Sequence, residues 1–141
     1  MHQPLAIKAL DIIVYPPSGW GYKTHTIHNP IWEQVEEAIR DLDHFCRPFI
    51  FVGLREKIAG EDCMTVMGGK NGYAISVADD KGGWLYYCDP SHTGGEVPVW
   101  TSDQGYYPME RHVTYNLELV LRLVRYYADR GEPDPSVEWE E

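Results

Sequence analysis

Histidine, cysteine and clustered carboxylates are the residue types in this chain that could do chemistry. His25-Thr26-Ile27-His28 offers two imidazoles three positions apart, and His44 and Cys46 flank Phe45 as a second pair of ligand candidates. A structural zinc site takes four ligands, usually in paired clusters with Cys-x-x-Cys-like spacing, and no such pair occurs here. The spacing argues for scattered surface histidines. Asp89, Ser91 and His92 have the residue types of a hydrolytic triad, yet near neighbours on one short turn rarely converge on a substrate, and Gly-x-Ser-x-Gly is missing. Gly68-Gly69-Lys70-Asn71-Gly72 superficially resembles a phosphate-cradling loop, but a Walker loop needs Ser or Thr after its lysine and then a helix. An alternating strand pattern follows instead, so the segment reads as a hairpin turn. Asp79-Asp80 falls in a polar turn, where carboxylates are solvated and turn-forming. The residues thus predict no catalytic group, no cofactor and no resident metal. The competing reading is a small metal-dependent hydrolase using His25 and His28 with Cys46 or His92.

Elements that would position such groups are marked along the chain. Leu117, Val120, Leu121, Val124 and Ala128 recur at helical spacing while Glu118, Arg122, Arg125 and Asp129 stay wet. Thr114 or Asn116 can cap that helix, and Gly131 suits the left-handed residue that closes it. An earlier helix is expected from Asn29-Pro30, read as cap and first helical residue, with Ile31, Val35, Ala38, Ile39 and Leu42 as its apolar stripe. Leu5 to Tyr15 reads as a strand ended by Pro16-Pro17, and Phe49 to Gly53 as a short strand buried on both faces. Between them, Ser18 to Tyr22 is an aromatic, glycine-bearing loop. From Met64 the pattern is an antiparallel meander, with Tyr73, Ile75 and Val77 on one face, then Trp84 to Cys88, then Val97 to Trp100 as an edge strand containing Pro98. Trp139 in the acidic tail suggests an anchored end.

At 141 residues, with 43% hydrophobic and 13% aromatic content, the chain is expected to form a single domain, 1–141, with a real core. No apolar run approaches a membrane span, and Met1-His2-Gln3-Pro4-Leu5 lacks the basic and apolar regions of a signal peptide, so the chain reads as cytoplasmic. Cys46, Cys63 and Cys88 are an odd number without close pairing, which fits reduced thiols. Acidic residues outnumber basic ones 22 to 12, for a formal charge of −10, which disfavours nucleic acid and anionic membranes and favours a basic partner. Combined with the rings of Trp20, Tyr22, Trp100, Tyr106, Tyr107 and Trp139, that charge describes a protein-binding face, aromatic anchors within a charged rim; each of these rings equally fits an ordinary aromatic-rich core. Contact residues are expected at Asp79, Asp80, Asp89, Trp100, Asp103, Tyr106 and Tyr107, which fall on loops or at strand ends.

Residues 64 to 141 carry a family resemblance. The hairpin from Gly68-Gly69 to Gly72-Tyr73, the segment Gln104-Gly105-Tyr106-Tyr107-Pro108, the following helix and the ending Gly131-Glu132-Pro133-Asp134-Pro135-Ser136-Val137-Glu138-Trp139-Glu140 together resemble the deaminase-associated immunity proteins of bacterial polymorphic toxin systems, immunity protein family one. The ending is the most specific part. The resemblance implies a small α+β protein, itself not an enzyme, that binds and neutralises a cognate toxin domain, a deaminase or another enzyme directed at nucleic acid or nucleotides. The expected fold is α+β: a mixed or antiparallel sheet of about five or six strands, with two helices packed on one face and the other face partly open.

Overall fold

The computed structural model describes residues 4–141. The first three positions, part of the start assessed above for a leader, lie outside the described residues. Ten elements follow in order: β1 (Ala9–Val14), β2 (Lys23–His28), α1 (Trp32–Arg40), β3 (Phe49–Gly53), β4 (Cys63–Gly69), β5 (Gly72–Ala78), β6 (Trp84–Cys88), a single 3-10 turn (Glu110–His112), α2 (Leu117–Arg130) and β7 (Glu138–Glu140). The fold is α+β. Its sheet has seven strands, more than the five or six expected, in the order β2-β1-β3-β4-β5-β6-β7. Every pairing is antiparallel.

Period-two alternation divides this sheet into an inner and an outer face. Leu10, Ile50, Val52, Met64, Val66, Tyr73, Ile75, Val77 and Tyr87 pack against α1 and α2 in one core. On α1 the buried side chains are Val35, Ala38 and Ile39. On α2 Leu123 and Tyr127 join the expected stripe and are fully buried. Burial of this kind, at about 25 cal/mol per Å² of apolar area, is the main favourable contribution to folding. Asn116 caps α2, its side-chain oxygen accepting from Leu119 N at 3.3 Å, and Gly131 closes it in the left-handed conformation at φ 74°.

The start of α1 differs from the expectation. Asn29 is not the cap: its N–H donates to Lys8 O at 2.9 Å, extending the β1–β2 ladder, and its φ is 49°. The helix instead begins at Trp32 behind Ile31, whose N–H donates to Gln34 Oε1 at 3.0 Å. Ile31, counted in the apolar stripe, is 42% exposed.

The chain ends as an added strand. Pro133-Asp134-Pro135 turns back from α2, Asp134 is buried and accepts from Ser136 N at 2.8 Å, and the Trp139 indole donates to Asp134 O at 2.8 Å. Trp139 then packs edge-on to Tyr87, with ring centroids 6.4 Å apart. The ending most specific for the family resemblance is therefore a structural latch that fixes β7 beside β6. Among the described residues no helix is long and apolar enough to cross a membrane.

Candidate functional site

The outer face of the sheet carries Phe49 and Phe51 of β3, Thr65 and Met67 of β4, Ala74 and Ser76 of β5, and Trp84 and Tyr86 of β6. Among the described residues no helix covers them, since α1 and α2 pack on the other face. Residues 95–110 instead form an irregular hairpin that walls this face at one end. Val97 N donates to Pro108 O at 2.8 Å, Tyr106 N to Trp100 O at 2.9 Å and Glu110 N to Gly95 O at 2.9 Å. Val97 to Trp100 is not the edge strand the sequence suggested: only isolated bridges, Glu96 with Met109 and Trp100 with Tyr106, join its two arms. Pro98 has no N–H to give a ladder, and its carbonyl accepts from the Asn71 side chain at 3.2 Å. The hairpin is rooted by Thr101 N to His44 O at 2.8 Å, Asp103 N to Gly19 O at 2.9 Å, Ser102 Oγ to Phe45 O at 2.7 Å, and a small core of Val97, Val99 and Val113 against Met67 and Ala74.

Between hairpin and sheet lies an apolar hollow of about 360 Å³, with Trp84, Tyr86, Trp100, Tyr106 and His112 in its walls. A second hollow of about 500 Å³ shares Phe49, Phe51 and Trp100 with it and adds Asp11, Tyr15, Tyr22, Thr24 and Asp103. The two make one aromatic trough across the sheet, divided by Phe49 against Trp100 with ring centroids 5.0 Å apart. Among the described residues no lysine or arginine lines either hollow. Tyr22, Trp84 and Tyr106 lie in its walls while 56%, 42% and 40% exposed. Such a half-wet aromatic surface is what contact with another molecule buries.

Tyr15 sits at the far wall with its ring buried and its hydroxyl donating to Asp103 Oδ2 at 2.9 Å. Burial first, and then the Asp103 carboxylate, push its pKa up to about 12. The native state thus holds this proton more tightly than the unfolded chain, whose tyrosines titrate near 10. The stabilisation is fully present below pH about 10 and is lost as pH rises toward about 12. Urea unfolding across that window should show stability falling with pH, and Tyr15→Phe, which has no such proton, should fall less steeply. Equal slopes would show that folding does not raise the Tyr15 pKa.

Of the expected contact residues, Trp100, Asp103, Tyr106 and Tyr107 come together on the hairpin, Trp100 partly buried with its indole donating to Ser102 Oγ at 2.8 Å. Asp79 and Asp80 follow β5 at the opposite end of the strands from the hairpin, next to Trp84. Asp79 is a turn-former, accepting from Lys81 N at 2.7 Å and Gly83 N at 2.8 Å, and these bonds hold its pKa below the ordinary value. Asp89 lies past the other end of β6 and accepts from both Ser91 N and Ser91 Oγ. The seven residues are therefore not one cluster.

Chemistry suggested by spacing is mostly undone by geometry. β2 sends His25 and His28 to opposite faces of the sheet, because positions three apart in a strand alternate, so they cannot ligate one ion. His44 Nδ1 lies 2.9 Å from Thr101 Oγ1. Asp89, Ser91 and His92 are neighbours in the wrong order for a triad: Ser91 Oγ donates to Asp89 at 2.6 Å, while His92 Nδ1 faces Val113 O at 2.9 Å. All three cysteines are free thiols. A group absent from the spacing argument does assemble: Cys88, His112 and Glu140, with the Cys88 thiol donating to Glu140 Oε2 at 3.6 Å and His112 Nε2 bonded to Glu140 Oε1.

No protein-family model matches this chain, and no curated protein matches it. Among solved structures it is similar to a hypothetical protein from Neisseria gonorrhoeae, with 10% identity, a TM-score of 0.57 and 96% of each chain covered. At that identity the likeness concerns the fold alone.

Proposed function

We propose that this chain is an immunity protein that neutralises a cognate toxin domain in the cytoplasm by laying the open face of its sheet over the toxin's active site. The observation that carries this reading is the aromatic trough, walled by Trp84, Trp100 and Tyr106 and lined by Asp11 and Asp103, with no lysine or arginine among the described residues that line it. Enzymes that act on nucleic acid or nucleotides present basic clefts, and a surface with net charge −10 is drawn to them by steering. The rings then supply the anchors, and the carboxylates mimic the charge of the displaced substrate. Stoichiometric neutralisation asks for roughly nanomolar affinity, near about −12 kcal/mol, within reach of an interface of about 800 Å² per partner. The family resemblance of residues 64 to 141 supports the same role and names a deaminase as one class of target.

Titrating the active toxin domain with this chain tests the reading, with activity expected to vanish at one equivalent. The turn beside Trp84 contributes to the approach rather than to the anchor. Charge reversal at Asp80, combined with Asp79→Asn, whose amide oxygen can still accept from Lys81 N and Gly83 N, should therefore lower the association rate several-fold at low salt and flatten its salt dependence, leaving dissociation nearly unchanged. An unchanged association rate would take this turn out of the interface.

A further inference from the structure

We propose that Cys88, His112 and Glu140 form a binding site for a divalent transition-metal ion, zinc by preference, at the edge of the aromatic trough. The three side chains come from three elements, the end of β6, the 3-10 turn and β7. Their donor atoms all lie within 4.8 Å of one another. Donors around a tetrahedral zinc stand about 3.5 Å apart. Cys88 Sγ and Glu140 Oε2, 3.6 Å apart, already meet that spacing, while His112 Nε2 and Glu140 Oε1, now in direct hydrogen bond, must separate to admit the ion. One thiolate, one imidazole and one carboxylate suit a borderline-soft cation and not calcium or magnesium.

The frame holds these groups in place. Tyr86 pairs with Glu140 and Cys88 with Glu138 in the β6–β7 ladder, so the cysteine and the glutamate are diagonal neighbours on one face. The Tyr86 ring stacks on the His112 imidazole with centroids 5.7 Å apart. In the metal-free protein, hydrogen atoms occupy the centre of the cluster, on the thiol and between His112 and Glu140. A cation replaces them: the sulfur–metal bond forms as the sulfur–hydrogen bond breaks and the thiol proton leaves to the buffer, while His112 binds through an unprotonated Nε2, the hydrogen it shared with Glu140 being lost to solvent and the neutral ring carrying its proton on Nδ1. Arg111 Nη2, 3.1 Å from Glu140 Oε1, balances the carboxylate meanwhile and, being half-exposed, is free to swing out. Three protein donors leave a fourth position for water or for a donor on a bound partner. His112 lines the trough, which places that position beside it.

The test is a titration of the reduced, metal-stripped chain with cobalt(II), read by absorbance. One equivalent should bind with a thiolate-to-cobalt charge-transfer band and the intense visible bands of a tetrahedral ion, and zinc should displace it. Cys88→Ser should abolish the charge-transfer band and Cys46→Ser should leave it intact. His112→Ala and Glu140→Gln should each weaken binding at least tenfold. Absence of a thiolate band at millimolar cobalt, or its survival in Cys88→Ser, would overturn the proposal. Should Cys88→Ser fail to fold, a folded His112→Ala that keeps the wild-type affinity would overturn it equally, leaving the cluster as a hydrogen-bonded clasp on β7.

Discussion

Alanine at both Trp84 and Tyr106 should weaken binding to the cognate toxin by about a thousandfold. Each ring is an exposed wall of the same hollow, 42% and 40% accessible, and neither belongs to the core formed with the helices. Aromatic residues at the centre of an interface typically lose at least about 2 kcal/mol on truncation, so the pair together is worth about 4 kcal/mol. The two share one hollow and will couple, which makes the double variant the informative one. Folding should suffer much less than binding, because both rings are partly exposed and neither belongs to the core formed with the helices. Calorimetric affinity alongside thermal melting separates the two effects. A double variant that binds within tenfold of wild type would place the anchors elsewhere.

The largest loss of stability from a single methyl group should come from Gly68→Ala. Gly68 has φ 143°, and an added Cβ would lie 2.1 Å from Gly72 O and 2.9 Å from Tyr73 Cα, both backbone atoms of the facing strand. Neither can move without breaking the β4–β5 hairpin, from which Tyr73 also bridges to Thr114 at the root of α2. A strained backbone and a backbone clash together should cost about 3 kcal/mol or more. Gly60 gives the control: its φ is 82° but no atom lies within 4 Å of a Cβ there, so Gly60→Ala should cost only about 1 kcal/mol. Urea midpoints measure both. Equal losses would mean that the hairpin yields more easily than its close contacts imply.

Why some of this was readable in the sequence and some was not comes down to which patterns are local. α2 announces itself because Val120, Leu121, Val124 and Ala128 return at helical spacing between a capping asparagine and a closing glycine. β4 to β6 follow from glycine turns and alternation, and the face shared by Tyr73, Ile75 and Val77 is the one that packs on the helices. β2 carried no such signal: Lys23-Thr24-His25-Thr26-Ile27-His28 is an exposed edge strand with one apolar residue, and it is extended because β1 pairs with it. The same blindness produced the His25–His28 suggestion, since a three-residue spacing means one face in a helix and two faces in a strand. β7 is three residues long and exists through its partner and the Trp139 latch; β2 and β7 are gained and Val97 to Trp100 is lost, which makes the strand count seven. Exposed rings on the hairpin were legible as contact candidates. The trough itself was not, because it needs the hairpin to fold back over Met67 and Ala74. The metal-competent group lies further still from any motif, with sequence separations of 52 for Cys88 and Glu140 and 28 for His112 and Glu140.

The claim that the open sheet face is the toxin-binding face is tested most directly by oxidative footprinting of the aromatic side chains, free and at saturating inactive toxin domain. Trp84, Tyr106 and Tyr107 are accessible in the free chain and should become protected, while Trp32 and Tyr126, where Arg125 and Arg130 cover the rings on the helix side, should react as before. Protection confined to Trp32 and Tyr126, or no protection anywhere at saturating toxin, would contradict the account.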